Sequence, residues 1–204
     1  MDPIPQGLRE RKKLETRLAL ARAALRLFEE RGYAATTIDD IAAAANVSRR
    51  TFFRYFAGKD EVFIVDPEGK LAALHVALAE GPPEEPTLAA LRRGVVALAS
   101  AYFEPELVRA EARVGPREPA VAAAGFAYQV QWEDALAAEV AADLGVDLHA
   151  DPRPRIVAHA TVAVLRAGIA AWLQDDARDP AEVVADTFDR ATPALEAILA
   201  MPTA

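Results

Sequence analysis

The sequence predicts an all-α fold, a three-helix head followed by a larger helical body. Three observations carry this. Apolar residues recur at helical spacing along most of the chain, and no segment alternates apolar and polar residues at length as a half-buried strand would. Charge then divides the chain near residue 63. Residues 1–63 hold 12 Lys and Arg against 9 Asp and Glu, whereas the rest holds 11 against 22, within a net charge of -8. At 204 residues, 52% of them hydrophobic, the chain can bury a substantial core.

The elements follow in order. In LETRLALARAALRLF, Leu14, Leu18, Ala21, Leu25 and Phe28 share one face of a long helix over 10–31, which Gly32 closes. Thr37 followed by Asp40 has the spacing of a capping box, with Asp standing for Glu, and opens a short helix over 38–45 with Ile38, Ile41, Ala42 and Ala45 on one face. Ser48 caps a third helix over 49–56, which Gly58 breaks. KDEV at 59–62 opens a fourth, with two acids in its first turn where they suit the dipole. DPEGK at 66–70 reads as a bend within it, and EGPPEEP at 80–86 as the clearest loop. Further helices are expected over 87–103, 105–114, 117–144, 154–175 and 180–200, with a loop at GVDLHADPRP and a bend or fresh turn at Pro193.

Residues 46–63, NVSRRTFFRYFAGKDEVF, gather arginines, a lysine and aromatics in an otherwise acidic chain. Asn46 sits between two short helices, where a left-handed conformation is common and Asn tolerates it. With Val47, Phe52, Phe56 and, in part, Tyr55 inward, Arg49, Arg50, Thr51 and Arg54 remain at the start of the second helix for solvent or a partner. Arginine suits a helix N-terminus poorly by dipole alone, so two there point to a partner that offsets the cost. Guanidinium forks match guanine O6 and N7, and phosphate oxygens too. The pattern is a helix-turn-helix, with the first long helix packed across the pair.

The stretch 20–63, with TT, DIA, NVS, FFRYF and GKDEV in order, resembles the DNA-binding head of the TetR family of bacterial transcriptional regulators. The resemblance implies a homodimer whose heads bind a palindromic double-stranded operator and whose bodies bind a small-molecule effector. It divides the chain into a helix-turn-helix DNA-binding domain at 1–63 and a helical ligand-binding and dimerisation domain at 64–204. It assigns base contacts to Arg49, Arg50 and Thr51, and phosphate contacts to Thr37, Ser48, Tyr55 and Lys59. Phe53 stands where the family most often has a phosphate-donating tyrosine; its ring can pack on the backbone but cannot donate, and Arg54 is the neighbouring substitute. Arg9, Arg11, Lys12 and Lys13 form either an arm that reaches DNA or a solvated N-terminus.

In the body, Tyr102, Phe103, Phe126, Tyr128, Trp132 and Trp172, with Gln129, His159 and Arg166, are candidates for an apolar ligand pocket with a few polar anchors, set against the alternative that the aromatics are ordinary core. Val184, Phe188, Ala191, Leu195 and Ile198 form a stripe on the last helix, and the helix before it carries Ala160, Ala163, Ala167 and Ala171 with Gly168. The stripe fits either its own core or a partner; the resemblance implies a four-helix interface about a two-fold axis, taking in Ala163 and Ala167.

The absence of cysteine excludes disulfides and thiolate metal sites. His75, His149 and His159 lack a second ligand at metal spacing, and no phosphate loop or nucleophile elbow is present, so neither cofactor, metal nor catalytic residue is expected. No apolar run reaches the roughly 20 residues of a membrane helix, and the N-terminus MDPIPQGLRERKK is unlike a secretory signal, so a cytoplasmic protein is expected. The function expected is a sequence-specific regulator, a repressor released by a small apolar ligand. The competing readings are a nonspecific architectural DNA binder and a helical ligand carrier or enzyme with an incidental basic head.

Overall fold

A computed structural model describes residues 8–82, 84–101, 104–175 and 177–202. Among these the chain is all-α: α1 (Leu8–Arg31), α2 (Ile38–Ala44), α3 (Arg49–Phe53), α4 (Pro67–Ala79), α5 (Thr87–Ala101), α6 (Pro105–Val114), α7 (Pro119–Leu144), α8 (Arg153–Trp172) and α9 (Pro180–Leu199). They form two compact units, Met1–Pro67 with Glu104–Ala127, and Glu68–Phe103 with Tyr128–Ala204.

In the first unit α1 turns its expected face inward. Ala21, Leu25 and Phe28 are buried, and Leu14 and Leu18 pack half-buried against the same core. Gly32 ends α1 at φ 84, its N–H donating to Phe28 O at 3.0 Å, the left-handed stop that glycine adopts without strain. Thr37 and Asp40 form the capping box of α2 in full. Helical hydrogen bonding in α3 persists to Phe56 N–H on Phe52 O, close to the limit expected from sequence.

One expectation fails here. KDEV does not open a long helix: Lys59–Glu61 is a single 3-10 turn, and α4 begins only at Pro67. Val62, Phe63 and Val65 are all buried in the first core, and the left-handed backbone at Asp66 interrupts any helix running from them into α4. Asp66, at φ 51, reverses the chain before Pro67, whose fixed φ suits a first turn. The compact unit that holds α1 to α3 also takes in α6, whose Leu107 and Ala110 enter the same core, as does Val121 of α7.

The second unit is centred on α8 and α9. Gly168 lets them touch: a Cβ there would lie 2.9 Å from Val184 Cα. α9 runs on through Pro193 without restarting; the proline lies on the exposed side, where water can satisfy the carbonyl its missing N–H leaves free. Arg153 anchors the far end of α9 by donating to Leu199 O at 3.1 Å and Met201 O at 3.2 Å, while Asp151 holds its guanidinium at 2.6 Å. The hydrogen bonds that Asp151 accepts from the Arg153 guanidinium and then from its backbone N–H, together with Arg153's charge, hold the Asp151 carboxyl below the usual range. By length and composition α8 could cross a membrane, yet its apolar face is packed inside the second unit.

The stripe on α9 requires a correction. Val184, Phe188 and Leu195 are at most 2% exposed within a single chain, so they face their own core and are unavailable to a partner. Ala191 and Ile198 are half-buried on the margin of that face, whereas Ala163 and Ala167 of α8 lie exposed. A period of 3.6 identifies an apolar face but not what covers it.

Candidate nucleic-acid interface

The turn between α2 and α3 is built from local chemistry. Asn46 takes φ 55, Val47 N–H returns to Ala42 O at 2.9 Å, and Ser48 Oγ accepts from Thr51 N–H at 3.0 Å as the cap of α3. Ile41, Ala42, Phe52 and Phe56 are buried and lock the two helices together. That burial leaves Arg49, Arg50, Phe53 and Arg54 exposed on the outer surface of α3, with Thr51 and Tyr55 half-buried.

These side chains are organised to different degrees. Arg49 pairs with Asp39 at 2.7 Å, both ends largely exposed, and its guanidinium lies over the Phe53 ring, 5.5 Å from the centroid. Such an exposed pair holds Arg49 with little free energy and would release it readily. Arg54 donates to Tyr55 Oη at 3.1 Å and stacks on that ring at 4.9 Å. Arg50 has no hydrogen bond or ion pair among the described residues. Phe53 is 47% exposed, so its ring is presented outward.

The expected phosphate ligands differ in the protons they can offer. Thr37 donates its hydroxyl to Asp40 Oδ2 at 2.6 Å and accepts from Asp40 N–H at 3.2 Å. A phosphate oxygen supplies no proton, so Thr37 would hold one only by redirecting that hydroxyl. Ser48 Oγ and Thr51 Oγ1 lie 2.9 Å apart; one donates to the other, which leaves one proton of the pair to point outward. Lys59 donates to Tyr33 O at 2.6 Å and Thr36 O at 2.9 Å and lies over the Tyr33 ring at 4.2 Å, so one ammonium proton remains. It clamps the loop between α1 and α2, a role that sequence reasoning missed because residues 33 and 59 are linked by no local pattern.

Electrostatics reinforce the frame. The hydrogen bonds from Thr37, with a smaller contribution from Arg31, hold the Asp40 carboxyl below its ordinary value. Burial, and then the charges of Asp60 and Glu118, push the Tyr33 phenol up. Thr36, buried at 1% exposure, satisfies its hydroxyl on Gly32 O at 2.8 Å.

In the body, three polar residues expected at a pocket are brought together. Arg166 donates to Gln129 Oε1 at 2.9 Å, Gln129 to Glu133 Oε1 at 2.7 Å, and Glu133 Oε2 meets His159 Nδ1 at 2.9 Å. Sequence reasoning missed Glu133, the buried acid that links them; its i+4 spacing from Gln129 was the available signal. Trp132 packs half-buried against the second core, and Tyr128 is half-buried. Trp172 stands apart, buried and donating to Arg178 O at 3.1 Å. Phe126 is 61% exposed and belongs to the first unit. Tyr102 and Phe103 lie outside the described residues. None of these residues lines the cleft at Gly81, Glu85 and Asp143 or the one between α1 and α6. Among the described residues no group of His, Asp and Glu is placed to hold a metal.

Comparison with known proteins agrees with the helix-turn-helix geometry. Residues 20–65 match the model described as bacterial regulatory proteins, tetR family, and residues 85–199 the model of the MftR C-terminal domain. The chain is 37% identical over 177 residues to the HTH-type transcriptional regulator TcmR of Streptomyces glaucescens, covering 83% of this chain and 78% of that one. It is 29% identical over 181 residues to MftR of Mycobacterium tuberculosis, a regulator named for mycofactocin biosynthesis, covering 88% and 90%. Among solved structures, a protein from Syntrophomonas wolfei described as a TetR-family transcriptional regulator superposes with a TM-score of 0.64 at 18% identity, covering 92% and 98%; that likeness concerns the fold.

Proposed function

The chain belongs to the TetR family of bacterial transcriptional regulators, and we propose that within it this protein is a cytoplasmic, homodimeric repressor that binds a palindromic operator and is released by a small apolar ligand. The observation that carries the reading is the outer surface of α3, where Arg49, Arg50, Phe53 and Arg54 stand exposed over a buried Phe52. Residues 1–63 supply the DNA-binding function. Arg49, Arg50 and Thr51 read bases; Ser48, Arg54, Tyr55 and the remaining proton of Lys59 hold phosphates; Thr37 does so by redirecting its hydroxyl from Asp40; and Phe53 packs on the sugar-phosphate backbone. The dimer forms on the exposed side of α8, through Ala163, Ala167 and the 39% exposed Ile156, which suits close helix approach. Two heads on a two-fold axis then meet half-sites about one helical turn apart, roughly 34–36 Å.

The ligand sits in the second unit beside Trp132, with the chain Arg166–Gln129–Glu133–His159 as its polar anchor. Linkage requires that whatever factor the ligand takes from DNA affinity, DNA takes from ligand affinity, typically about 1–3 kcal/mol.

Selection of bound duplexes from a random pool tests the reading. A regulator prefers its operator over random DNA by about 10³ or more, and Arg50→Ala should cost about 1–3 kcal/mol on the selected site and relax preference at one position per half-site. Recovery of no preferred sequence would favour the architectural alternative. Absence of any DNA affinity would favour the carrier.

A further inference from the structure

Arg49 and Arg50 are neighbours at the start of α3 and both are exposed, yet they are held differently. Arg50 has no hydrogen bond or ion pair among the described residues. Arg49 is held from two sides. Asp39 of α2 accepts from its Nη1 at 2.7 Å, and its guanidinium lies over the Phe53 ring, 5.5 Å from the centroid. Each support is itself anchored. The Phe53 ring meets the Phe52 ring at 5.6 Å and 84°, an edge contact, and Phe52 is fully buried. Asp39 stands in the first turn of α2, where the Thr37–Asp40 capping box fixes the backbone and the dipole favours an acid.

The bond to Asp39 occupies one Nη1 proton. The Nε and Nη2 edge of Arg49 makes no hydrogen bond among the described residues, and those two donors are spaced to meet O6 and N7 of one guanine together. A carboxylate on one nitrogen and a ring against the plane fix both the direction and the tilt of that fork. Asp39 also brings a cost. A carboxylate beside a DNA-facing helix repels phosphate, and it cancels the charge with which Arg49 would attract a duplex of any sequence. Such an acid weakens binding to all DNA alike and is favourable only where it sharpens the choice among sequences. Exposed to water, the pair is weak. On DNA, breaking it would leave the carboxylate unpaired near phosphates, so binding favours keeping it.

We infer that Asp39 and Phe53 are positioning residues that aim Arg49 at a guanine, so that the base pair Arg49 meets is read more stringently than the one Arg50 meets; this rests on the base-reading role proposed above for Arg49. Arg50 loses its side-chain freedom only on contact with a base, and that loss opposes binding. Arg49 has lost much of it beforehand, which favours the one geometry its supports allow. Phe53 remains 47% exposed, which leaves its ring room to touch the sugar-phosphate backbone as well.

The test uses the full-length protein, a duplex that the parent selects from a random pool, the single-base variants of that duplex, and a random-sequence duplex. Competition binding gives the discrimination at each position for the parent, Arg49→Ala, Asp39→Asn, Phe53→Leu and Phe53→Tyr, and for Asp39→Asn and Phe53→Leu each combined with Arg49→Ala. Circular dichroism verifies helix content. Arg49→Ala identifies the position that Arg49 reads, where a bidentate contact is worth about 5–150-fold. At that position Asp39→Asn and Phe53→Leu should each lower discrimination about two- to fivefold, the size of an exposed ion pair or a cation–π contact, and leave the other positions unchanged. Phe53→Tyr keeps the ring and should keep the discrimination. In the Arg49→Ala background neither substitution should alter discrimination further. Asp39→Asn should also bind the random duplex more tightly, since it removes a negative charge.

Parent-like discrimination in Asp39→Asn or in Phe53→Leu would overturn the role of that residue and leave Arg49's own reading intact. An equal loss at every position would mark a structural role and overturn the inference. So would a loss by Asp39→Asn that persists in the Arg49→Ala background, which would have Asp39 accepting from a base itself. If Arg49→Ala keeps the parent's preference at every position, the base-reading role fails and the inference with it.

Discussion

Lys59→Met separates a clamp from a contact. The substitution keeps most of the aliphatic stem and removes the ammonium that donates to Tyr33 O and Thr36 O and lies over the Tyr33 ring. Hydrogen bonds to a charged group are worth about 1.5–3 kcal/mol each, and here the low end applies because the site is only part-buried and water can reach the freed carbonyls. Allowing for that rehydration, the two bonds together contribute about 2 kcal/mol, and the ring contact about 0.5 kcal/mol more. A loss of about 2–3 kcal/mol is large against the 5–15 kcal/mol of a typical domain. Both tryptophans lie in the second unit, so their fluorescence reports the wrong part of the chain. Amide hydrogen exchange of residues 38–56 in the parent and the variant reports the right one. Protection there should fall by the corresponding factor, roughly 30–150-fold, while the second unit keeps its own. A lysine that served only to hold phosphate would leave exchange unchanged in the absence of DNA. That result, with a reduced salt slope for DNA binding, would refute the clamp.

Other outcomes follow from the same structure. The depressed Asp40 carboxyl contributes stability that is present above its unfolded value, about 3.9, and is lost as pH falls through the lower folded value. Urea midpoints of the parent should therefore exceed those of Asp40→Asn at pH 7 and converge with them in strong acid; a gap that widens in acid contradicts the cap. Gly168→Ala would set a Cβ 2.9 Å from Val184 Cα and force α8 from α9, costing about 1–3 kcal/mol despite alanine's better helix propensity; a midpoint followed by tryptophan fluorescence checks this, and stabilisation would show that the helices can part freely. Ala167→Arg, on the exposed side of α8, should shift sedimentation toward monomer at micromolar concentration without loss of helix content, and a persistent dimer would move the interface elsewhere. Phe188→Arg is no test of assembly, since it would bury a charge in the chain's own core.

By itself the sequence determined whatever depends on neighbours along the chain. The capping box at Thr37 and Asp40, the left-handed stops at Gly32 and Asn46, the cap at Ser48 and the inward faces of α1 and α2 are set within a turn or two of helix, where propensity and spacing act alone. The outward surface of α3 was legible for the same reason: once Phe52 and Phe56 go inward, the arginines have nowhere else to point. Only the tertiary structure decided matters in which distant residues compete for the same space. Residues 62–65 left the expected helix and set Val62, Phe63 and Val65 in the first core, and α6 joined that unit because the core had a further side to cover. The stripe on α9 went to its own chain instead of a partner because Gly168 let α8 come close enough to cover it. Lys59 became a clamp because the loop after α1 brought the Tyr33 and Thr36 carbonyls within its reach. A helical period records that a face is apolar, and a charge records that a partner is needed; which partner arrives depends on contacts that close only when the chain folds.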